Sequence, residues 1–270
     1  SFSISCIQQS ANPRRNSAKL SRYQREIQIM AIQAGEDTFY QANRGVVQDG
    51  LVLNLDAGVR DSYDGGTTWR DLAGSNDGAM QNMNDTNLIK DNGGVFTFDG
   101  SNEYIDCGNP SLDISDGYTL MSWFKISTVS DANIINMDSS NNPLSRFFQF
   151  RINSSSKVQF IRFDSAINHI GTLSSSSSLV SGVWYNILAS FDSSEGEKIY
   201  INSALDATSS IQTQNKSGSG TKLSIGCRYS NATASNFFHG DISTVQIYNR
   251  GLTAAEVSRN FNVMRHRFGI

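Results

Sequence analysis

Cysteine, proline and tryptophan each occur only three times in these 270 residues, and charged side chains make up only 17% of them. Cys6, Cys107 and Cys227 are odd in number and widely spaced, so neither a disulfide framework nor a paired metal-ligand motif is implied. Cys107 and Cys227 lie in strand-like segments and read as small buried hydrophobes. Nowhere is there an apolar run long enough to cross a bilayer. The opening SFSISCIQQSANPRR lacks the basic start, apolar run and small-residue cleavage site of a secretory signal. A protein made in the cytosol is expected, either mature as it stands or used without export. The formal charge of −3 gives no reason to expect whole-molecule binding to nucleic acid or to an anionic membrane. What is abundant is glycine, 22 residues, beside 38% hydrophobic side chains, a balance that favours a turn-rich globular β protein over disorder or a coiled coil.

The stretch 237–261, FFHGDISTVQIYNRGLTAAEVSRNF, organises the rest. Ile242, Val245, Ile247 and Tyr248 sit among polar neighbours, which suits a strand packed on at least one face. Arg250-Gly251 turns the chain, and Thr253-Ala-Ala-Glu256 has the spacing of a capping box, so a helix is predicted from Ala254. Val257, Phe261, Met264 and Phe268 recur at steps of four, three and four and form one apolar stripe. Arg265 and Arg267 suit the negative end of that helix's dipole without any partner. Strands are predicted at 51–56, 95–98, 103–107, 118–126, 133–137, 146–152, 157–163, 183–191, 198–201 and 222–226. The 118–126 strand is apolar on both faces, as a covered central strand should be. These segments, with turn signals between most of them, predict an all-β sandwich of two antiparallel sheets over 50–270.

Residues 1–49 read as an extension with one helix. Leu20, Tyr23, Ile27, Met30 and Ala34 recur at three- and four-residue steps up to Gly35, a C-terminal cap. Arg14, Arg15, Lys19, Arg22 and Arg25 cluster at its beginning. They make either a solvated face or, with Tyr23, an arm that docks on an acidic neighbouring subunit.

Four segments taken in order, GLVLNLDAG at 50–58, FTFDGSNEYIDCG at 96–108, YTLMSWFKI at 118–126 and IYNRGLTAAEV at 247–257, resemble the laminin-G-like (concanavalin A-like) jelly-roll sandwiches of adhesive proteins and bacteriophage virion proteins. The resemblance spans about Gly50 to Asn262 and is specific as to fold and loose as to role, since such sandwiches serve as lectins, adhesion modules, enzymes and capsid decorations alike.

Because relatives of this shape include glycoside hydrolases, paired carboxylates come first. The Glu-x-Asp-x-x-Glu run of the β-glucanase branch is missing. Glu103 and Asp106 would point to opposite faces of a strand, and Glu195 and Glu197 flank Gly196 in an expected turn, so no acid pair of retaining geometry can be assembled. His169, His239 and His266 have no nucleophile context, and spaced zinc ligands are missing. An enzyme is not expected. Laminin-G-like domains often hold one Ca²⁺ at a rim, and Asp56, Asp61, Asp64, Asp71, Asp77 and Asp99 offer oxygens, but the EF-hand spacing is missing. These read as solvated loop acids, and no cofactor or metal is assigned.

For glycan recognition, aromatic platforms should lie beside amides on exposed loops. Tyr63, Trp69, Tyr229, Phe237 and Phe238, with Asn82, Asn84, Asn231 and Asn236 in the loops around them, are the candidates, although each aromatic taken singly reads first as a core residue, Trp69 included. Two functions follow. The preferred one is a non-enzymatic virion structural protein, a capsid decoration or a head or tail appendage, homo-oligomeric, and anchored by its extension on the major capsid protein or an appendage protein. The alternative is a carbohydrate-binding adhesin or receptor-binding protein that grips host-surface glycans through its rim loops.

Overall fold

The chain divides into two units, Ser1–Asn43 and Arg44–Ile270. The computed structural model describes residues 45–114, 116–139, 146–164, 168–215 and 221–270, all in the second unit. Their strands are, in chain order, β1 (Leu51–Asp56), β2 (Thr68–Trp69), β3 (Gly78–Gln81), β4 (Leu88–Ile89), β5 (Val95–Asp99) and β6 (Tyr104–Asp106). Next come β7 (Gly117–Ile126), β8 (Ala132–Ser139), β9 (Phe148–Ile152), β10 (Val158–Phe163), β11 (His169–Ser174) and β12 (Trp184–Asp192). The last are β13 (Gly196–Ile201), β14 (Ala204–Ser209), β15 (Thr221–Ile225), β16 (Arg228–Ser230), β17 (Thr233–Ser235) and β18 (His239–Tyr248). Helix α1 (Ala254–Met264) and a 3₁₀ turn at Arg265–Phe268 close the chain.

Two large antiparallel sheets stack face to face, in the concanavalin A-like arrangement. The first runs β14-β13-β12-β7-β18-β5-β4, with β1 also paired to β18, and the second runs β11-β10-β9-β8-β15-β6-β3-β2. Strand alternation fills the space between them. In β7, Leu120, Phe124 and Ile126 point to the core shared with Phe148, Phe150, Phe160 and Leu223 of the second sheet. The intervening Met121 and Trp123 point the other way, which is why this strand is apolar on both faces.

The other face of the first sheet is sealed by the end of the chain. Thr253 caps α1 and the predicted capping box forms, the Thr253 hydroxyl accepting from Glu256 N at 3.3 Å and Glu256 Oε2 accepting from Thr253 N at 2.9 Å. Val257, Phe261, Met264 and Phe268 are all buried, Phe268 stacking on Trp123 with ring centroids 4.1 Å apart. Residues 45–49, placed in the extension on sequence grounds, join this layer. Val46 and Val47 are buried, and Val47 N donates to Asn260 Oδ1 at 2.8 Å.

Arg267 is not a solvated dipole partner. Its Nη1 lies 2.7 Å from Asp56 Oδ2 and its Nη2 donates to Ser243 Oγ at 3.0 Å, inside the protein. Gly58 leaves room for it, since a Cβ there would sit 2.4 Å from Nη2. The expected turn at Glu195–Glu197 is also revised. Glu197 lies in β13 and is buried opposite Arg162 of β10, whose Nε donates to Glu197 Oε1 at 2.6 Å.

Candidate functional site

The outer face of the first sheet lies under α1, with Met121, Trp123 and Tyr248 packed there beside buried Asn186 and Gln246, while that of the second is polar. In β8 and β9 the same alternation that sends Ile135, Met137, Phe148 and Phe150 inward turns Asn136, Asp138, Gln149 and Arg151 outward. Asn136 stands opposite Gln149 on one side and Ser224 on the other, and the sequence continues through Asp106 of β6. Amides, a hydroxyl and charges therefore share one face, on which Asn136, Asp138, Gln149 and Ser224 are themselves buried and Arg151 reaches solvent.

The hairpin β16–β17 lies over part of it. Asn231 and Ala232 form its two-residue turn with φ of 51° and 61°, the left-handed pair of a type I′ hairpin. Three contacts hold it down. Asn136 Nδ2 donates to Tyr229 O at 3.3 Å, Asn133 N donates to Asn236 O at 3.0 Å, and Arg228 Nε lies 3.1 Å from Asp138 Oδ2. Asn133 is fully buried here, and its Oδ1 has no hydrogen-bond partner among the described residues.

Beside the hairpin, Tyr104 is ringed by Tyr229 and Phe237, at centroid distances of 6.1 and 6.4 Å, all three half-buried. Lys222 Nζ sits 3.7 Å from the centre of the Tyr229 ring and 2.6 Å from Asp106 Oδ2. Burial opposes its charge, yet the hydrogen bond and field of Asp106 outweigh that and hold the ammonium above the ordinary lysine range. Burial pushes the Tyr104 phenol up, so it stays a neutral donor at neutral pH.

At the other flank, Asp138 is buried between two arginines. Arg146 Nε is 3.4 Å from Oδ1, and the Arg146 guanidinium carbon lies 4.9 Å from the centre of the Phe163 ring. Each described carboxylate of this face has a cation against it: Asp106 with Lys222, Asp131 with Arg151 at 3.6 Å, and Asp138 with Arg146 and Arg228.

Of the residues singled out on sequence grounds, Tyr229, Asn231 and Asn236 come together on the hairpin. Asn82 is exposed at the end of β3 and donates to Asn102 O at 2.8 Å, while Asn84 is exposed and caps a 3₁₀ turn, accepting from Thr86 N at 2.8 Å. Trp69 and Tyr63 are interior. Both pack edge-on to Phe96, at 4.9 and 4.8 Å, because Trp69 faces inward from β2 and Tyr63 anchors its loop by donating to Asp85 Oδ1 at 2.6 Å. They form no platform for a sugar. Arg14, Arg15, Lys19, Arg22, Tyr23 and Arg25 lie outside the described residues.

The loop acids serve the fold. Asp71 accepts from Asn54 N, Ala73 N and Asn76 N, Asp77 from Asp71 N, Asp99 from Ser101 N, and Asp64 pairs with Arg70. Among the described residues no three His, Cys, Asp or Glu side chains group closely enough to hold an ion. Asn133, Asn136, Gln149, Arg146 and Arg228 escaped the sequence reading, which placed binding groups on loops. For Asn136 and Gln149 the signal was the amide and charged residues alternating with apolar ones in INMD and FQFR, and no such pattern marks Asn133, Arg146 or Arg228.

The profile of the concanavalin A-like lectin/glucanases superfamily matches residues 99–258. No curated protein matches the chain in sequence. Among solved structures, the binding domain of botulinum neurotoxin DC in complex with SialylT superposes with a TM-score of 0.60 at 13% identity, over 80% of this chain and 52% of that one. A Trypanosoma rangeli sialidase in complex with sialic acid superposes with a TM-score of 0.56 at 14% identity, over 78% of this chain and 32% of that one. The chain thus spans about half the length of the first and a third of the second.

Proposed function

Because the chain belongs to the concanavalin A-like lectin/glucanase superfamily, we propose that it is a non-catalytic carbohydrate-recognition module that takes its sugar on the outer face of the second sheet. The observation that carries this is the asymmetry of the two outer faces. One lies under α1, and the other carries the half-buried Tyr104–Tyr229–Phe237 cluster and the part-exposed Arg146, Arg151, Arg228 and Lys222 above its buried amides. The Tyr104 and Tyr229 hydroxyls and the exposed Asn231 amide supply donors and acceptors for sugar hydroxyls, and the half-buried rings supply a surface for sugar C–H groups. The sialyl ligands of the two structural neighbours favour a sugar as the ligand class. Every described carboxylate on this face is matched to a cation, which leaves no acid poised to donate a proton to a glycosidic oxygen. The test is glycan-array binding by the full chain, followed by Tyr229→Ala and Phe237→Ala. Loss of the array signal in both, with the fold intact, is expected. A blank array at high protein concentration would remove the reading.

A second reading puts this module on a virion, made in the host cytoplasm, homo-oligomeric, and anchored through residues 1–49. It is favoured by the likeness of GLVLNLDAG and IYNRGLTAAEV to segments of phage structural proteins, and by the cations of the extension. Deleting 1–34 should then leave a folded sandwich that no longer binds particles. Retained binding would refute the arm.

A further inference from the structure

Asp138 is a buried carboxylate shared by two guanidinium groups, one from each side. Arg146 Nε approaches Oδ1 and Arg228 Nε approaches Oδ2, at 3.4 and 3.1 Å. The exposures are unequal in a telling way, 1% for the Asp138 side chain and 27% for each arginine side chain. The acid is sealed while the two cations reach the surface. One guanidinium would neutralise one carboxylate, so the second is a surplus charge. Among the described residues of this face the ion pairs join Arg146, Arg151, Arg228 and Lys222 to Asp106, Asp131 and Asp138, four cations against three anions.

We infer that Arg146 and Arg228, set in place by Asp138, receive the anionic group of an acidic sugar. This rests on the carbohydrate reading above and narrows it. A guanidinium has five donors in a rigid fork, and binding Asp138 through Nε leaves the terminal amino groups for a second acceptor. For the Arg228 guanidinium that Nε contact is the one hydrogen bond among the described residues. Carboxylate and sulfate both match the fork in shape and charge. The site is preorganised, because Asp138 holds both arginines from beneath and Phe163 lies under the Arg146 guanidinium, so little side-chain freedom is left to lose on binding. The neutral part of the sugar has its own neighbours: Tyr229 follows Arg228 in β16, and the half-buried Tyr104 ring lies beside Tyr229. Asp138 is a positioning residue in this arrangement and does not touch the ligand.

The experiment is calorimetric titration of the full chain with three probes: lactose, 3′-sialyllactose and a sulfated disaccharide. At low salt, 3′-sialyllactose or the sulfated sugar is expected to bind about tenfold or more tighter than lactose, and the advantage should shrink as salt is added. Which of the two acidic probes binds more tightly identifies the anion. Arg228→Gln and Arg146→Gln should each remove most of that advantage and leave lactose affinity within about twofold, while Arg228→Lys keeps part of it. Equal affinity for neutral and acidic probes, with no salt dependence in the unaltered protein, overturns the inference and leaves the carbohydrate reading standing. That arm needs no variant to fold. Failure of all three probes to bind, together with a blank glycan array, overturns both.

Discussion

Arg162 and Glu197 form an ion pair sealed between the two sheets, with Nε 2.6 Å from Oε1 and neither side chain more than 1% exposed. The Arg162 guanidinium also donates to Thr213 O at 2.8 Å and Asn215 Oδ1 at 2.9 Å, and lies 3.6 Å from the centre of the Phe191 ring. A buried pair of this kind adds little over well-packed apolar side chains, but removing one partner strands the other charge in the core. Glu197→Leu alone should therefore lower stability by about 3–5 kcal/mol, measured by urea unfolding. Adding Arg162→Met to it should recover most of the loss. If the double variant is as unstable as the single one, the stranded charge is not the cause.

The stack of Phe268 on Trp123 closes the outer side of the first sheet, and its rings are 12° from parallel. Phe268 lies after α1, in a 3₁₀ turn, and its ring also packs on Trp184 at 4.8 Å. Phe268→Ala should cost about 3–5 kcal/mol, the range for deleting a buried phenyl group. A loss below about 1 kcal/mol would mean that the end of the chain only rests on the sheet.

Glu256 gives a dependence on pH with a definite sign. Its carboxylate binds Arg250 through both oxygens, at 2.7 and 2.9 Å, and completes the helix cap. The hydrogen bond from Arg250, more than the opposing burial, lowers its pKa from 4.5 to about 2. A depressed folded-state pKa means stabilisation that is full above pH 4.5 and is lost as pH falls toward about 2. The difference in unfolding midpoint between the unaltered protein and Glu256→Gln should be largest above pH 5 and should close as acid is added. A difference constant over that range would rule out the ionised form as its source.

Much of this architecture can be read from the residue pattern. The capping box at Thr253 and the stripe Val257, Phe261, Met264, Phe268 lie where local chemistry puts them, and the doubly apolar 118–126 strand is indeed central. Short strands such as β2 and β4, two residues each, left no periodic trace, and neither did the edge strand β14, with exposed Leu205 in place of a buried alternation. Arg162 was invisible for another reason. It occupies an inward position after Val158 and Phe160, where an apolar residue is the rule, and its partner is thirty-five positions away. The site suffered most. Trp69, expected first as a core residue, and Tyr63 both turn inward from a polar loop, whereas the side chains that share the outer face sit inside strands and are brought together only by register.

Gly58 tests whether the Asp-Ala-Gly at the end of β1 is a turn or a packing requirement. Gly58 N donates to Asp56 Oδ1 at 2.8 Å, and the same aspartate receives Arg267 on its other oxygen. A Cβ at position 58 would lie 2.2 Å from Gly93 O and 2.4 Å from Arg267 Nη2. The first neighbour is backbone and cannot swing away, so Gly58→Ala should destabilise by about 1–3 kcal/mol through overpacking. Gly66 is the comparison, because nothing lies within 4 Å of its Cβ position and only its φ of 87° opposes a side chain. Relieving the guanidinium contact with Arg267→Ala should not rescue Gly58→Ala. The Gly93 carbonyl stays in the way, and Asp56 is left buried without its cation. Urea midpoints of the two single variants and the double would decide the matter, and a double variant more stable than Gly58→Ala would place the obstruction at Arg267 instead of the backbone.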